Sequence, residues 1–402
     1  MFDSIVKPRQ DMVVWPFILA ILGLMVISPL FIYSATSAVE SLTIIPWYRQ
    51  KFIWQILCYV LGIGAAAAMC LIPYHTISRW SLIGYWATIV SLIAVLLPFI
   101  GSMKLGARRW IGVGPFQFQP SEFAKIGVII ALANFLSRPV DELRQPRVFW
   151  TAVGMVLFPF ALILKEPDLG SALVLLPVGL GMMYAAGVPT RYLARLVAGF
   201  ALLVSLILVD VLFAPPSWQI KLEEYQKRRL LVYFGKDFAS SNATSAEKQR
   251  ARDQQRKYSY NVEQALISVG SGGLTGKGWK QGTQNSLGFL PRAVAHNDFI
   301  FSVIAEEQGL VGSVLVVGLY TVILFAGIRI ASEARDRLGK VLATGVVILL
   351  FTHVFINIGM NIRLMPVTGI PLPLLSYGGS SVLCSLIALG ILQNVHLYRR
   401  RY

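Results

Sequence analysis

Ten long apolar stretches punctuate this chain, at 13–34, 52–72, 80–100, 122–137, 149–164, 171–187, 193–213, 300–328, 341–361 and 379–396. Roughly 20 apolar residues coiled as a helix cross the hydrocarbon of a bilayer, where every backbone polar group has to be satisfied inside the protein. One soluble core has no use for so much apolar surface: 55% of the 402 residues are hydrophobic and only 14% are charged. The pattern predicts an all-α, polytopic membrane protein with about ten transmembrane helices, in a single membrane domain over 1–402. The first stretch is too long for a signal-peptide core and no small-residue cleavage site follows it, so it reads as a retained span.

Ten crossings return both termini to one side. With the termini cytoplasmic, the inside segments carry 15 basic residues, from Lys7 and Arg9 to Arg399, Arg400 and Arg401, against 7 in the short outside loops. Short cytoplasmic loops retain Lys and Arg, so this asymmetry places the chain in the cytoplasmic membrane with both ends inside. The net charge of +16 is thereby divided between membrane faces, and a nucleic-acid partner is not called for. Residues 214–297, between the seventh and eighth spans, form a long outside loop with 13 basic and 6 acidic residues. Long loops translocate whatever their charge. The polar centre of that loop, 237–257, reads as a mobile segment or a surface helix. Cys58, Cys70 and Cys384 lie within apolar runs and behave as small hydrophobes, while four scattered histidines lack metal-ligand spacing.

Ionisable groups beside or within spans are costly and point to function. Four clusters qualify, all at outer ends. In 116–125, Pro120 and Ser121 suit a helix start, and Glu122 and Lys125 share one face at i,i+3. The turn 165–170 packs Lys165, Glu166 and Asp168 together, with Asp168 either capping the next helix or pairing with Lys125. In 296–307, Asp298 opens a span, as a cap or as a reactive carboxylate, and Glu306 and Glu307 follow within it. The glycine-rich run 268–279 just upstream can aim backbone N–H groups at an anion or make a tight structural turn. Between the last two spans, 363–381 is too rich in Pro and Gly for a helix and too apolar for an exposed loop, so it reads as a re-entrant wall lining a site. Gly312 and Gly318 in the eighth span and Gly345 in the ninth allow a partner helix to approach closely.

These clusters, in this order on ten spans, resemble the SEDS family (shape, elongation, division and sporulation). The resemblance is carried by Gly106–Ile111 with Gln119–Glu122 and Lys125, Glu166–Gly170, Asp298–Phe301 with Glu306 and Glu307, and Thr368–Pro373 with Ser376–Ser381. The motifs 225–229 and 282–291 are similar to the elongation branch rather than the division branch. The stretch before Asp298 departs from the family's usual Pro-Glu-x-His-Thr-Asp, and the outer loop between Phe234 and Tyr258 is longer than usual.

The resemblance implies a peptidoglycan glycosyltransferase that joins lipid II units outside the cell, together with a class B penicillin-binding protein (transpeptidase) and other membrane proteins of an elongation complex. It implies Asp298 as general base, taking a proton from the acceptor hydroxyl as that attacks the donor's anomeric carbon. An undecaprenyl diphosphate leaves readily, so a second carboxylic acid is not required. Arg108, Arg109, Lys125 and Lys277 are then candidates to offset the growing diphosphate charge, and a divalent cation (Mg or Mn) could assist them. Glu122, Asp168, Glu306, Ser376 and Ser380 are expected to line the site. Two other readings make different predictions. A lipid II flippase needs ionisable groups along a path through the bilayer, and a non-enzymatic scaffold tolerates neutral outer carboxylates.

Overall fold

Each of the ten apolar stretches contains a helix in the computed structural model, which describes residues 14–40, 46–104, 107–113, 116–213, 224–235, 245–290 and 294–399. In chain order the helices are α1 (Trp15–Glu40), α2 (Lys51–Leu71), α3 (Tyr74–Arg79), α4 (Ser81–Leu96), α5 (Pro120–Leu136), α6 (Val140–Leu143), α7 (Pro146–Lys165) and α8 (Leu169–Ala186). They continue as α9 (Thr190–Phe213), α10 (Glu224–Phe234), α11 (Ser245–Ser271), α12 (Thr283–Ser286), α13 (Ile300–Ser332), α14 (Arg337–Asn361) and α15 (Gly379–Leu397). Among the described residues eight of these, α1, α2, α7, α8, α9, α13, α14 and α15, are long and apolar enough to span a membrane by themselves. The third and fourth stretches are shorter as helices: α4 has 16 residues and α5 has 17. The all-α expectation needs one addition, a small antiparallel sheet of β1 (Gly101–Lys104), β2 (Ala107–Val113) and β3 (Phe116–Phe118) in the order β1-β2-β3. Gly106 of the 106–111 motif lies outside the described residues, as does 237–244 of the polar insert. From Ser245 onward that insert is the helix α11.

The bundle is centred on α5, α8, α14 and α15, whose inward faces are almost wholly buried. Small residues permit that approach. A Cβ at Gly345 would meet Met182 Sδ at 2.7 Å and Ile129 Cγ2 at 2.9 Å, so α14 presses on α8 and α5 there. Gly345 is therefore interior and is not part of a partner face, whereas Gly318 on α13 is exposed with open space around it. The helix α9 stands apart. Only Leu193 and Val211 of its 24 residues are buried, as befits a helix apolar all round that meets lipid on most sides.

The segment between α14 and α15 is non-helical and largely buried, as its proline and glycine content requires. Buried carbonyls need donors, and helix side chains supply them. Arg229 bonds the Thr368 carbonyl at 3.2 Å, Asn357 that of Ile370 at 2.7 Å, Ser28 that of Leu375 at 2.8 Å and Gln55 that of Ser376 at 3.2 Å. Tyr320 and Tyr59 donate to Pro373 and Leu374. The re-entrant wall is thus held by residues of α1, α2, α10, α13 and α14.

The helix α13 is broken at Gly309, whose φ of 62° and ψ of −155° suit glycine alone. The glycine-rich run closes the break. Lys277 N and Gly278 N donate to the carbonyls of Glu306 and Glu307 at 3.1 and 2.9 Å, and Leu310 N and Val311 N donate to Gly273 and Leu274 at 2.9 and 3.1 Å. These are the groups a helix loses where its ladder is cut. The run's Lys277 and Gly278 amides are committed to this clasp, so the tight-turn reading describes them better than an anion cradle.

Candidate active site

One end of the bundle collects the first turns of α5, α8 and α15, the last turn of α14, the residues leading into α13, and the sheet. Between them and α10 lies a cavity of about 1050 Å³, lined by Arg109, Asp168, Arg229, Asp298, Arg363 and Ser380 among others. Of the residues expected from sequence, Asp298, Arg109, Asp168 and Ser380 therefore meet in one space. On β2, Arg109 and Trp110 reach the cavity, whereas Arg108 does not line it.

Asp298 sits one residue before the N-cap of α13, which is Phe299, and among the described residues no helix N–H donates to its carboxylate. Its carboxylate lies instead beside the re-entrant wall, where a Cβ on Gly369 would stand 3.5 Å from Oδ2. Burial pushes its pKa up to about 6; Arg229 and Arg109 pull it down and Asp168 raises it. Such a group is ionised at neutral pH yet basic enough to accept a proton.

Asp168 plays one of the two parts considered for it. It caps α8 by accepting from Ser171 N at 3.2 Å, and it faces the cavity, accepting from Gln119 Nε2 at 3.1 Å and lying 3.8 Å from Arg109. The expected pairing with Lys125 is not made. Lys125 is buried with Glu122 at 2.8 Å and with His353 Nε2 of α14 at 3.0 Å, so the intrahelical i,i+3 partner and a histidine satisfy it instead. This cluster lies behind the cavity wall and does not line it. In the same turn as Asp168, Glu166 is fully buried, and among the described residues neither of its oxygens has a hydrogen-bond partner. Burial and then Asp168 push it up to about 9, against the pull of Arg109, so it is neutral at pH 7.

Lys277 belongs elsewhere. Its ammonium bonds Glu306 Oε1 at 2.7 Å, and the same oxygen accepts from Thr283 Oγ1 at 3.1 Å and Gln284 N at 2.9 Å. Neither Lys277 nor Glu306 lines the cavity; both serve the clasp on α13. Ser376 is likewise a staple, accepting from Leu372 N at 2.8 Å and donating to the Asn297 carbonyl at 2.6 Å. Ser380 ties β3 to α15 by donating to the Gln117 carbonyl at 2.9 Å and accepting from Gln119 N at 3.1 Å.

The cations that do line the cavity include Arg229 of α10, which sequence reasoning did not place in the site, and Arg363, the first residue of the stretch read as the site's wall. The buried Nε of Arg109 has no hydrogen-bond partner among the described residues, a donor suited to an anionic oxygen of a ligand. Among the described residues no three His, Cys, Asp or Glu side chains gather as a metal cage. The cavity's Asp168 does fit the donor set of magnesium, which takes one or two carboxylates together with substrate phosphate oxygens.

Bundle and cavity define a polytopic membrane protein with a carboxylate set against several guanidinium groups at one end. The chain belongs to the FtsW, RodA and SpoVE family of cell cycle proteins, whose family model matches residues 14–401. It is 34% identical to the peptidoglycan glycosyltransferase MrdB of Escherichia coli (strain K12), over 95% of this chain and 93% of that one. It is 33% identical to the peptidoglycan glycosyltransferase RodA of Treponema pallidum, over 94% and 96% of the two chains. Among solved structures it is similar to the rod shape determining protein RodA of Thermus thermophilus, with a TM-score of 0.65, 27% identity and coverage of 96% and 98%. A chain from a peptidoglycan synthase complex that coordinates polymerization and crosslinking superposes with a TM-score of 0.75, 26% identity and the same coverage.

Proposed function

We propose that this chain is a peptidoglycan glycosyltransferase of cell elongation, polymerising lipid II on the outer face of the cytoplasmic membrane. The observation that carries the reading is the meeting of Asp298 with Arg109, Arg229 and Arg363 around one cavity. An acceptor sugar hydroxyl gives its proton to Asp298 as its oxygen bonds to the donor's anomeric carbon, and the bond from that carbon to the diphosphate breaks. The guanidinium groups meet the charge that grows on the departing diphosphate, in a site partly screened from water where such contacts act strongly. A divalent cation held by Asp168 and the diphosphate would add to that charge stabilisation.

The basic asymmetry supports an outward-facing cavity. The end opposite the cavity carries Arg138, Arg329, Arg337 and Arg399, with Arg337 donating to the Arg138 carbonyl at 2.6 Å and Arg329 paired with Glu333 at 2.7 Å. Placing that end in the cytoplasm puts the cavity outside. A class B penicillin-binding protein fits as partner because crosslinking must follow polymerisation, and the exposed α13 face around Gly318, where the space is open, lets a single helix pack closely; Gly312 is half-buried against Gln308 and does not share that face. Other membrane proteins of an elongation complex would share such faces.

The test is polymer formation from purified lipid II in detergent, by the chain alone and with its transpeptidase. Glycan strands are the expected product. Movement of lipid II across a liposome membrane without any polymer would contradict the reading and favour a flippase.

A further inference from the structure

The backbone around Asp298 is anchored at three successive carbonyls. Tyr377 N donates to the His296 carbonyl at 3.0 Å, Ser376 Oγ to that of Asn297 at 2.6 Å, and Asn357 Nδ2 and Asn361 Nδ2 both donate to that of Asp298 at 3.1 Å. The last is the most telling. The Asp298 carbonyl stands just ahead of α13, where Ser302 N and Val303 N both bond the Phe299 carbonyl, so the helix ladder does not hold it. Two amides of another helix do.

Asn357 and Asn361 are fully buried and one helical turn apart on α14. Each amide is engaged further. Asn357 also donates to the Ile370 carbonyl at 2.7 Å, and Asn361 donates to the Asn357 carbonyl at 2.8 Å while its Oδ1 accepts from Ser302 Oγ at 2.6 Å. One turn earlier on the same face stands His353, against Lys125. A buried amide without partners is costly, and an apolar residue would serve packing equally well at such positions. Two amides spent on one carbonyl beside a carboxylate therefore call for a reason.

We infer that Asn357 and Asn361 are positioning residues for the transfer reaction: they fix the Asp298 backbone so that its carboxylate stays within reach of the acceptor hydroxyl. The inference rests on the reading of Asp298 as base. A general base works only within hydrogen-bond distance of the proton it takes, and a misplacement of about 1 Å costs about 10²-fold in rate. Through Ile370 and Ser302 the same two side chains tie the re-entrant wall and the first turn of α13 to α14, so base and wall move as one body.

The experiment is a double-mutant cycle on the purified protein with its transpeptidase partner, measuring kcat and KM for lipid II and the melting temperature. Asn361→Ala is expected to lower kcat by about 10²-fold with KM changed by no more than about twofold. In an Asp298→Asn background the same change is expected to cost nothing more, because what it positions is gone. If the alanine variant does not fold, Asn361→Asp takes its place, being nearly isosteric and keeping the acceptor for Ser302 while losing the amide donor. A folded variant with wild-type kcat, a loss confined to KM, or a full additional loss in the Asp298→Asn background would each overturn the inference. Wild-type kcat in Asp298→Asn itself overturns the parent reading, and the inference with it, whereas a slow Asp298→Asn beside unaffected Asn361 variants overturns the inference alone.

Discussion

In the proposed reaction Asp298 and the cations around it set the chemistry at the scale of single residues, and pH reports on them. Asp298 must be ionised to take a proton, so the rate falls as pH drops through its pKa of about 6. Arg229 is the foremost cation holding that value down. Arg229→Ala should therefore move the acid limb of the kcat/KM profile to higher pH, since the carboxylate then holds its proton more tightly. An acid limb unmoved in a folded variant would show that the two groups do not interact. Sequence made Asp298 legible, because a carboxylate at the head of a span has few bland explanations. It did not single out Arg229, which follows Lys227 and Arg228 on α10: three consecutive cations on a helix point about 100° apart, and only the fold selects the one that faces the cavity.

Among the elements, α13 depends on a contact that no local pattern announces. Its apolar residues run on past Gly309, so the stretch reads as one uninterrupted span, and a glycine inside a helix is common enough to pass unnoticed. The break becomes visible only with the run 272–278 docked against it. A Cβ at Gly309 would meet Gly276 N at 2.4 Å and Leu274 O at 2.7 Å, besides forcing an alanine into a φ of 62°. Gly309→Ala should thus destabilise the protein by about 1–3 kcal/mol from backbone strain, and more if the clasp lets go. Gly318→Ala is the matching control, helical and facing open space, and should melt at or slightly above the wild-type temperature. Equal melting of the Gly309 variant and wild type, by thermal unfolding in detergent, would mean that the clasp contributes nothing. The sheet was equally hidden: strands of 4, 7 and 3 residues offer too few alternations to read, and they persist because the ends of α4, α5 and α15 pack against them.

For the whole molecule, the spans were the most legible feature, since bilayer thickness fixes helix length independently of tertiary detail. What the sequence could not give was the inward arrangement, in which Lys125 turns to Glu122 and His353 rather than to Asp168. Several partners within reach of one long side chain look alike until the helices are packed. Orientation is open to direct test. A cysteine in place of exposed Leu287 should react with an impermeant thiol reagent on intact cells, and one in place of Arg335 should not; the reverse pattern would invert the molecule in the membrane. The central claim is that Asp298 takes the acceptor proton. Its most direct test is the rate of glycan polymerisation from lipid II by purified Asp298→Asn beside wild type, each with the transpeptidase partner and with folding verified by melting. Asn preserves the size of the side chain but cannot serve as the base, so a loss of about 10²–10⁴-fold at an unchanged melting temperature is predicted. A folded Asp298→Asn protein that makes long glycan strands at the wild-type rate would contradict the account.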